Sequence, residues 1–190
     1  MENLIREDFS EARTVLDAFI SDASNFTRIA DAGKLVVAAF KGNRKVMSCG
    51  NGGSMCDAIH FAEELSGRFR NDRQALPAIS ISDPAHITCT ANDYGFEKVF
   101  SRFIEAAGNA GDVLLAISTS GNSKNVIEAA RTARNKGLKV IALTGKDGGV
   151  LKDLCDVEIR APHAPYADRA QEIHIKVIHA LIHFVEEGMK

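Results

Sequence analysis

Several features that would indicate particular functions are missing from this 190-residue sequence. It has no long apolar run, and its N-terminus lacks the pattern of a secretory signal peptide. It also lacks a cluster of lysine and arginine, and its formal net charge is −2. A protein without a basic surface is a poor partner for nucleic acid or an anionic membrane. We therefore expect a cytoplasmic protein that binds neither, and that holds any anionic ligand through local contacts.

The cysteines do not form a recognisable framework. There are four of them, and none belongs to a C-x-x-C pair: Cys49, Cys56, Cys89 and Cys155. This spacing predicts neither disulfides nor a thiolate zinc site. Cys49 lies beside a glycine-rich turn and could be a reactive thiol, but the burial habits of free cysteine favour a structural role.

Internal repeats, low-complexity tracts and linkers are also missing, so we expect residues 1–190 to form one domain. Apolar residues at helical spacing fill residues 1–41, which predicts an N-terminal extension of two helices broken near residues 22–25. After Gly42, short apolar runs alternate with amphipathic stretches. That alternation is typical of a parallel sheet with helices on both faces, a three-layer α/β sandwich. The predicted strands are Lys45–Cys49, Ala78–Ser82, Val113–Ser118, Lys139–Thr144 and Val157–Arg160, and the predicted helices are 54–68, 95–108, 123–136 and about 168–187.

Two turns rich in glycine and serine stand where a strand should pass into a helix: C-G-N-G-G-S at 49–54 and S-T-S-G-N-S at 118–123. Ligands of parallel sheets collect at such turns, because the following helix presents free N–H groups. The second turn offers four hydroxyl residues, Ser118, Thr119, Ser120 and Ser123, and it lacks the lysine of a nucleotide-binding P-loop. It therefore predicts a site for the phosphate of a small molecule. A tight turn with a serine helix cap would account for Gly121 and Ser123 alone.

Two helices carry candidate catalytic or metal-binding residues. His60 and Glu64 are four residues apart and share one helix face, where they could bind a metal, act on a substrate or form an ordinary surface contact. Glu63 beside them is interpreted as a solvent-exposed residue. The last helix carries Gln171, His174, His179 and His183 among isoleucines. Histidines in that setting are usually satisfied core or interface residues, and the H-E-x-x-H pattern of zinc proteases is absent.

These motifs together resemble one family. C-G-N-G-G-S, H-F-A-E-E-L-S-G-R, A-N-D-Y-G, I-S-T-S-G-N-S, L-T-G-K-D-G-G and R-A-Q-E-I-H-I-K-V-I-H cover nearly the whole chain. The sequence is similar to the phosphoheptose isomerases, which belong to the sugar isomerase (SIS) domain group. The resemblance implies a flavodoxin-like sheet of five parallel strands and a homotetramer with active sites between subunits. It also implies conversion of sedoheptulose 7-phosphate to D-glycero-D-manno-heptose 7-phosphate, the first step toward nucleotide-activated heptose for lipopolysaccharide or other surface glycans.

The resemblance also implies roles for individual residues. It makes Glu64 and His179 the catalytic pair. It makes His60, Glu64, Gln171 and His179 the ligands of a zinc ion, one per subunit. The implied substrate-binding residues are Asn51, Gly52, Gly53, Glu64, Asn92, Asp93, Ser118, Thr119, Ser120, Ser123 and Gln171.

One geometric difficulty accompanies the implied zinc site. Gln171 and His179 are eight residues apart, about 12 Å along an ideal helix. Either the two side chains lean toward each other, or Gln171 precedes the regular helix, or the ligands come from different subunits. The implied tetramer favours the shared interface, where the helix after the first turn and the final helix could bring Glu64 and His179 together.

Two alternatives stay open at this point. An SIS-fold regulator that binds a replication initiator would have no need of Glu64 and His179. Other SIS enzymes and sensors act on hexose phosphates, usually beside further domains.

Overall fold

The computed structural model describes all 190 residues, and it contains seven α-helices and five β-strands. In chain order they are α1 (Glu2–Ser21), α2 (Ser24–Lys41), β1 (Val46–Gly50), α3 (Gly53–Ser66), β2 (Ala78–Ser80), α4 (Pro84–Tyr94), α5 (Ser101–Ala107), β3 (Val113–Ser118), α6 (Lys124–Asn135), β4 (Lys139–Thr144), β5 (Val157–Arg160) and α7 (Ala167–Gly188). Short 3₁₀ turns lie at Phe96–Lys98 and Leu151–Leu154. None of the helices combines the length and the apolar character needed to cross a membrane.

The five strands form one parallel sheet in the order β2-β1-β3-β4-β5. This is the strand order of flavodoxin-like folds. All six residues of β3 are buried, because successive side chains point to opposite faces and both faces are covered. Leu115 and Ile117 pack with α1, α2, α3 and α7, whereas Leu114 and Ala116 pack with α5 and α6. The expected three-layer α/β sandwich is confirmed.

Most predicted elements are present, but the segment between β2 and β3 differs. Helix α4 was not predicted, although Asp83 and Pro84 are a typical helix start: the Asp83 carboxylate accepts a hydrogen bond from the His86 N–H at 2.7 Å. The single helix predicted over 95–108 is instead a 3₁₀ turn followed by the short α5. Cys49 is buried in β1, and burial raises the pKa of its thiol to about 12, which fits the structural role.

Helices α3 and α7 pack on the same face of the sheet, and a buried ion pair joins their ends. Arg73, in the loop after α3, donates to the Glu64 and Leu65 carbonyl oxygens at 2.7 and 2.8 Å. Its Nε lies 3.0 Å from a carboxylate oxygen of Glu186 on α7, whose side chain is only 3% exposed. One guanidinium thus satisfies the last turn of α3 and fixes that turn against α7.

His174 anchors the middle of α7 to the sheet. Its ring is fully buried, and Nε2 donates to the Thr144 carbonyl oxygen at the end of β4, at 2.8 Å. Burial lowers the pKa of His174 to about 4. His174 is therefore a core residue, although its Nδ1 has no hydrogen-bond partner, and it lies outside the site described below.

We predict that Glu186→Ala destabilises the protein by about 3 kcal/mol, because removing one partner leaves the other charge of a buried pair without compensation. Urea unfolding monitored by circular dichroism measures the change. Glu187→Ala is the matched control: its exposed side chain pairs with Lys190 at the surface, so its loss should change the free energy of unfolding by less than about 0.5 kcal/mol. If the two substitutions changed the free energy of unfolding equally, the Arg73–Glu186 pair would not hold α3 against α7 as described.

His174 predicts a pH dependence of stability. Its pKa is lower in the folded protein than the ordinary histidine value of 6.5, so the unfolded chain binds the extra proton between pH 6.5 and about 4. The stabilisation is complete above that window and is lost as the pH falls through it, by roughly 3 kcal/mol in total.

The non-titrating variant His174→Gln keeps an N–H for Thr144 and isolates this effect. Urea unfolding between pH 7 and pH 4.5 should show wild type losing stability relative to the variant. The control variant His183→Gln, which changes an exposed side chain, should lose as much stability over this pH range as wild type does. If the free energy of unfolding of wild type and of His174→Gln changed with pH in parallel, His174 would not be the cause of the pH dependence.

Candidate active site

The two glycine-rich turns lie side by side at the carboxyl edge of the sheet. The first follows β1 and the second follows β3, and these strands pair in register from Val46 with Val113 to Gly50 with Ile117. The chain runs outward from β1 to β2 and then returns to β3 on the other side. Such a reversal of strand order opens the crevice in which parallel α/β sheets bind ligands.

The loop at residues 118–123, here called the phosphate loop, is preorganised for an anion. The Ser118 and Ser123 hydroxyls are 3.0 Å apart, and the Ser120 hydroxyl accepts from the Asn122 N–H at 3.1 Å. Ser123 caps α6 without a side-chain hydrogen bond to the helix, and of the first-turn N–H groups that of Val126 donates to Asn125 Oδ1 at 3.0 Å. The remaining N–H groups, together with the hydroxyls, can bind a phosphate.

A second segment braces the phosphate loop from behind. Gly121 has a φ of +65°, and a Cβ added there would collide with the Gly148 carbonyl, so only glycine fits. The Leu151 N–H donates to the Gly121 carbonyl oxygen at 3.0 Å, and the Val150 N–H donates to Asn122 Oδ1 at 3.1 Å. The L-T-G-K-D-G-G motif therefore serves to hold the phosphate loop.

Amide side chains hold the first turn on both sides. The Asn51 and Asn125 side chains exchange two hydrogen bonds of 2.9 and 2.8 Å, which join the turn to α6. On the other side the Gln171 amide packs on Gly53, where an added Cβ would lie 2.7 Å from Gln171 Nε2. A larger residue at position 53 would therefore displace the Gln171 amide from the turn.

Three of the predicted catalytic and metal-binding residues meet where α3 crosses α7. His60 Nε2 lies 3.0 Å from His179 Nε2 and 3.6 Å from a carboxylate oxygen of Glu64. Burial, followed by the neighbouring His60, lowers the pKa of His179, so its imidazole is neutral at neutral pH. All three side chains are partly exposed. They can bind a cation or exchange protons with a ligand.

Helices α3 and α7 of one chain pack together, and they bring three of these residues into one group: His60, Glu64 and His179. The sharing of zinc ligands between subunits stays a prediction. Gln171 lies within regular helix α7 and contacts the first turn of α3. His179, farther along α7, lies beside the second half of α3. The four residues implied as zinc ligands are therefore arranged as a close group of three with Gln171 about 12 Å along the helix.

The other predicted residues lie apart from the cluster. Asn92 and Asp93 are exposed at the end of α4, where Asn92 donates to Asp93 at 2.8 Å. His183 is exposed and contacts Arg70 at 3.3 Å.

Two residues that matter to the site were not predicted. Glu63 was interpreted as solvent-exposed decoration, and it is 58% exposed, but its carboxylate lies 2.9 Å from His60 Nδ1. Together with His60 and Glu64 it forms a group that could hold a metal ion. The i,i+3 spacing of His60 and Glu63 was a signal for this contact. Asn125 was missed because nothing in the sequence shows which distant side chain it meets.

Comparisons with known proteins agree with this geometry. The family model described as "SIS domain" matches residues 9–145. The chain is 58% identical to the phosphoheptose isomerase of Aeromonas hydrophila, covering 99% of this chain and 98% of the relative, and 55% identical to that of Vibrio cholerae with the same coverage. The solved phosphoheptose isomerase structure from Neisseria gonorrhoeae superposes with a TM-score of 0.90 at 38% identity, covering 98% of both chains.

The regulatory alternative, a non-catalytic SIS protein that binds a replication initiator, is not favoured by these similarities. The fold, the paired turns and full-length similarity at this level lead to one assignment. The chain belongs to the SIS-domain family and, within it, to the phosphoheptose isomerases.

Proposed function

We propose that Glu64 and His179 carry out the proton transfers by which this isomerase converts sedoheptulose 7-phosphate to D-glycero-D-manno-heptose 7-phosphate, at the start of nucleotide-activated heptose synthesis. One observation supports the proposal above others. A carboxylate and a neutral imidazole lie in one cluster on α3 and α7, the elements that flank the glycine-rich turns. This is the pairing that enediol chemistry needs.

The substrate phosphate is proposed to bind in the phosphate loop, through the hydroxyls of Ser118, Thr119, Ser120 and Ser123 and the N-terminus of α6. The open-chain sugar is proposed to extend past Asn51, Gly52, Gly53 and Gln171 and to meet the cluster of Glu64 and His179 at a subunit contact. Asn92 and Asp93 are proposed to contact it from α4, on the strength of the family motif alone.

Isomerisation moves one proton from C1 to C2. A second proton leaves the C1 hydroxyl, and the C2 carbonyl oxygen gains one. In the proposed mechanism Glu64 removes the proton from C1 of the ketose and returns it to C2. The neutral His179 donates to the carbonyl oxygen and takes a proton from the neighbouring hydroxyl, and it assists ring opening in the same way. Its lowered pKa keeps the imidazole neutral, and a neutral imidazole has one nitrogen that can donate a proton and one that can accept a proton.

The donor set also fits zinc, which the family resemblance implies. Two imidazole nitrogens on a tetrahedral zinc ion, with Zn–N distances of 2.0–2.1 Å, stand about 3.3 Å apart. The Nε2 atoms of His60 and His179 are already 3.0 Å apart, and the Glu64 carboxylate lies 3.6 Å from the first of them. These three residues would hold the ion. Gln171 is proposed as the fourth ligand from a neighbouring subunit, because the Gln171 of the same chain lies about 12 Å along α7 from His179. When bound, zinc supplies Lewis-acid polarisation of the substrate carbonyl.

We also propose a homotetramer with active sites near subunit contacts. Apolar side chains are exposed on α1, α2 and α7: Phe9 is 75% exposed, Phe26 52% and Ile20 51%. Part of this face lines an apolar hollow of about 330 Å³ with Phe184. A contiguous apolar surface of this kind is typical of an interface. The proposed substrate is a phosphorylated sugar, and we place the protein with it in the cytoplasm.

Substituting the proposed carbon base tests the function. Wild type incubated with sedoheptulose 7-phosphate should form the aldose, detected by NMR, and Glu64→Gln should lower kcat by about 10²-fold to 10⁴-fold because the amide cannot accept the carbon proton.

The control for this test is Glu63→Gln, a neighbouring carboxylate on the same helix that faces His60 Nδ1 rather than the crevice. It should retain far more activity than Glu64→Gln. Full turnover by a folded Glu64→Gln variant would refute the assignment, and no turnover by wild type together with binding to a replication initiator would support the regulatory alternative.

Metal analysis tests the zinc site. Protein purified without added zinc should contain about one zinc per chain, and His60→Ala should lower the zinc affinity by at least about 10-fold because it removes one of three clustered donors. His183→Ala, a histidine outside the cluster, should bind zinc as wild type does. Unchanged activity after rigorous chelation would show that zinc is dispensable.

A further inference from the structure

We propose that a polar cavity beside the end of β5 is a second anion site, which binds the phosphate group of a small phosphorylated molecule. The cavity lies between the start of α2 and the segments that follow β4 and β5, and its volume is about 450 Å³. None of its lining residues belongs to the phosphate loop or to the cluster of His60, Glu64 and His179. The site is therefore additional to the one at which the isomerase reaction is proposed to occur.

Four side chains that can bind an anion converge on this cavity from separate segments. Arg28 comes from α2 and Lys146 from the turn after β4. Arg160 is the last residue of β5, and His163 lies in the segment that follows. Arginine and lysine bind phosphate through charge-assisted hydrogen bonds, and an imidazole carries an N–H donor in either protonation state. Cationic groups gathered in a concave site attract anions more strongly than the same groups on a flat surface.

The two carboxylates in the cavity wall have partners of their own. Glu158 accepts hydrogen bonds from the Thr144 hydroxyl at 2.6 Å and from Arg160 at 2.9 and 2.6 Å. Asp22 accepts from the Ser24 N–H at 3.0 Å. Arg160 commits only two of its five N–H groups to Glu158. The acidic groups therefore do not occupy all the donors that face the cavity.

The other three donors are free. Arg28, Lys146 and His163 are exposed, and none of them forms a hydrogen bond or an ion pair within the chain. Three arginine and lysine charges face two carboxylates in the wall, which leaves one positive charge in excess, and a protonated His163 adds a second. A phosphate monoester carries a charge of about −1.5 to −2 at pH 7, which complements this excess.

The backbone at Lys146 is in an unusual conformation. Its φ of +52° lies in the left-handed region, which residues with a side chain rarely adopt. The Gly148 N–H donates to the Gly145 carbonyl oxygen at 2.9 Å and closes a tight turn around Lys146. Strained residues of this kind are concentrated at ligand sites, where the surrounding structure imposes their conformation. The L-T-G-K-D-G-G motif thus has a second role besides bracing the phosphate loop.

The size of the cavity favours a phosphate ester over the free ion. Sites for small organic molecules typically occupy about 300–1,000 Å³, and this cavity falls within that range. The buried Asn25 and the apolar Ala161 and Pro162 also line the wall, where they can contact the rest of such a molecule.

Equilibrium dialysis with radiolabelled glycerol 3-phosphate, and separately with radiolabelled inorganic phosphate, tests the site. We expect wild type to bind glycerol 3-phosphate at two sites per chain, one in the phosphate loop and one in the cavity. Arg28→Gln and Lys146→Gln should each weaken one of these sites by about 10-fold or more, because each removes a charge-assisted hydrogen bond. Ser120→Ala should weaken only the other site.

Lys41→Gln is the matched control. It removes an exposed charge from the other end of α2 and should leave both affinities unchanged. The double variant Arg28→Gln/Ser120→Ala should show both sites weakened, by the same factors as the single variants, because the two sites share no residue.

A single site that Ser120→Ala weakens and Arg28→Gln does not would overturn the inference. Two sites that both survive Arg28→Gln and Lys146→Gln would overturn it as well, and so would a cavity that takes inorganic phosphate but excludes glycerol 3-phosphate. The test is independent of the isomerase reaction: a site for the ester that is weakened in Arg28→Gln supports the inference even if the phosphate loop binds nothing.

Discussion

The parallel pairing of β1 with β3 places both glycine-rich turns at one edge of the sheet, next to each other. Because the strand order reverses between these two strands, the helices that follow them diverge to opposite faces: α3 packs with the N-terminal helices and α7, and α6 packs with α5. The N-terminus of α6 lies at the crevice, whereas Glu64 lies near the far end of α3, where the Leu76 N–H donates to the Leu65 carbonyl oxygen beside the start of β1. The proposed anion site is therefore at the carboxyl edge of the sheet, and the proposed acid–base pair lies farther along α3 and α7.

Ordinary core packing then determines the geometry of the cluster. Phe61 and Leu65 on α3 and Ile178 on α7 are fully buried in one hydrophobic cluster, so the polar residues between them share a single partly exposed strip. The Arg73–Glu186 pair and the His174 hydrogen bond fix the ends and the middle of this contact. The neutral state of His179 follows from the same packing, because burial is the main cause of its lowered pKa.

The sequence was sufficient for features that depend on local periodicity. The buried strand V-L-L-A-I-S, the two N-terminal helices and the hydroxyl-rich turn could all be read from residue types and spacing. Helix α4 was missed although its Asp-Pro start was visible, and Glu63, which is exposed as interpreted, makes a contact with His60 that was not predicted. Features that depend on the relative placement of distant elements could not be predicted. The Asn51–Asn125 pair joins residues 74 positions apart, and the meeting of His60 with His179 joins residues 119 apart.

Exchange of the substrate's carbon-bound hydrogen with solvent tests the central claim most directly. When the wild-type reaction is run in deuterium oxide, the account predicts deuterium at C2 of the heptose product, because a proton held by Glu64 exchanges with solvent before it returns to carbon. In His179→Gln, hydrogen exchange at C1 of the ketose should continue after net isomerisation has slowed, since Glu64 still acts on carbon. Product that carries no deuterium after many turnovers, or exchange that persists in Glu64→Gln and disappears in His179→Gln, would contradict the account.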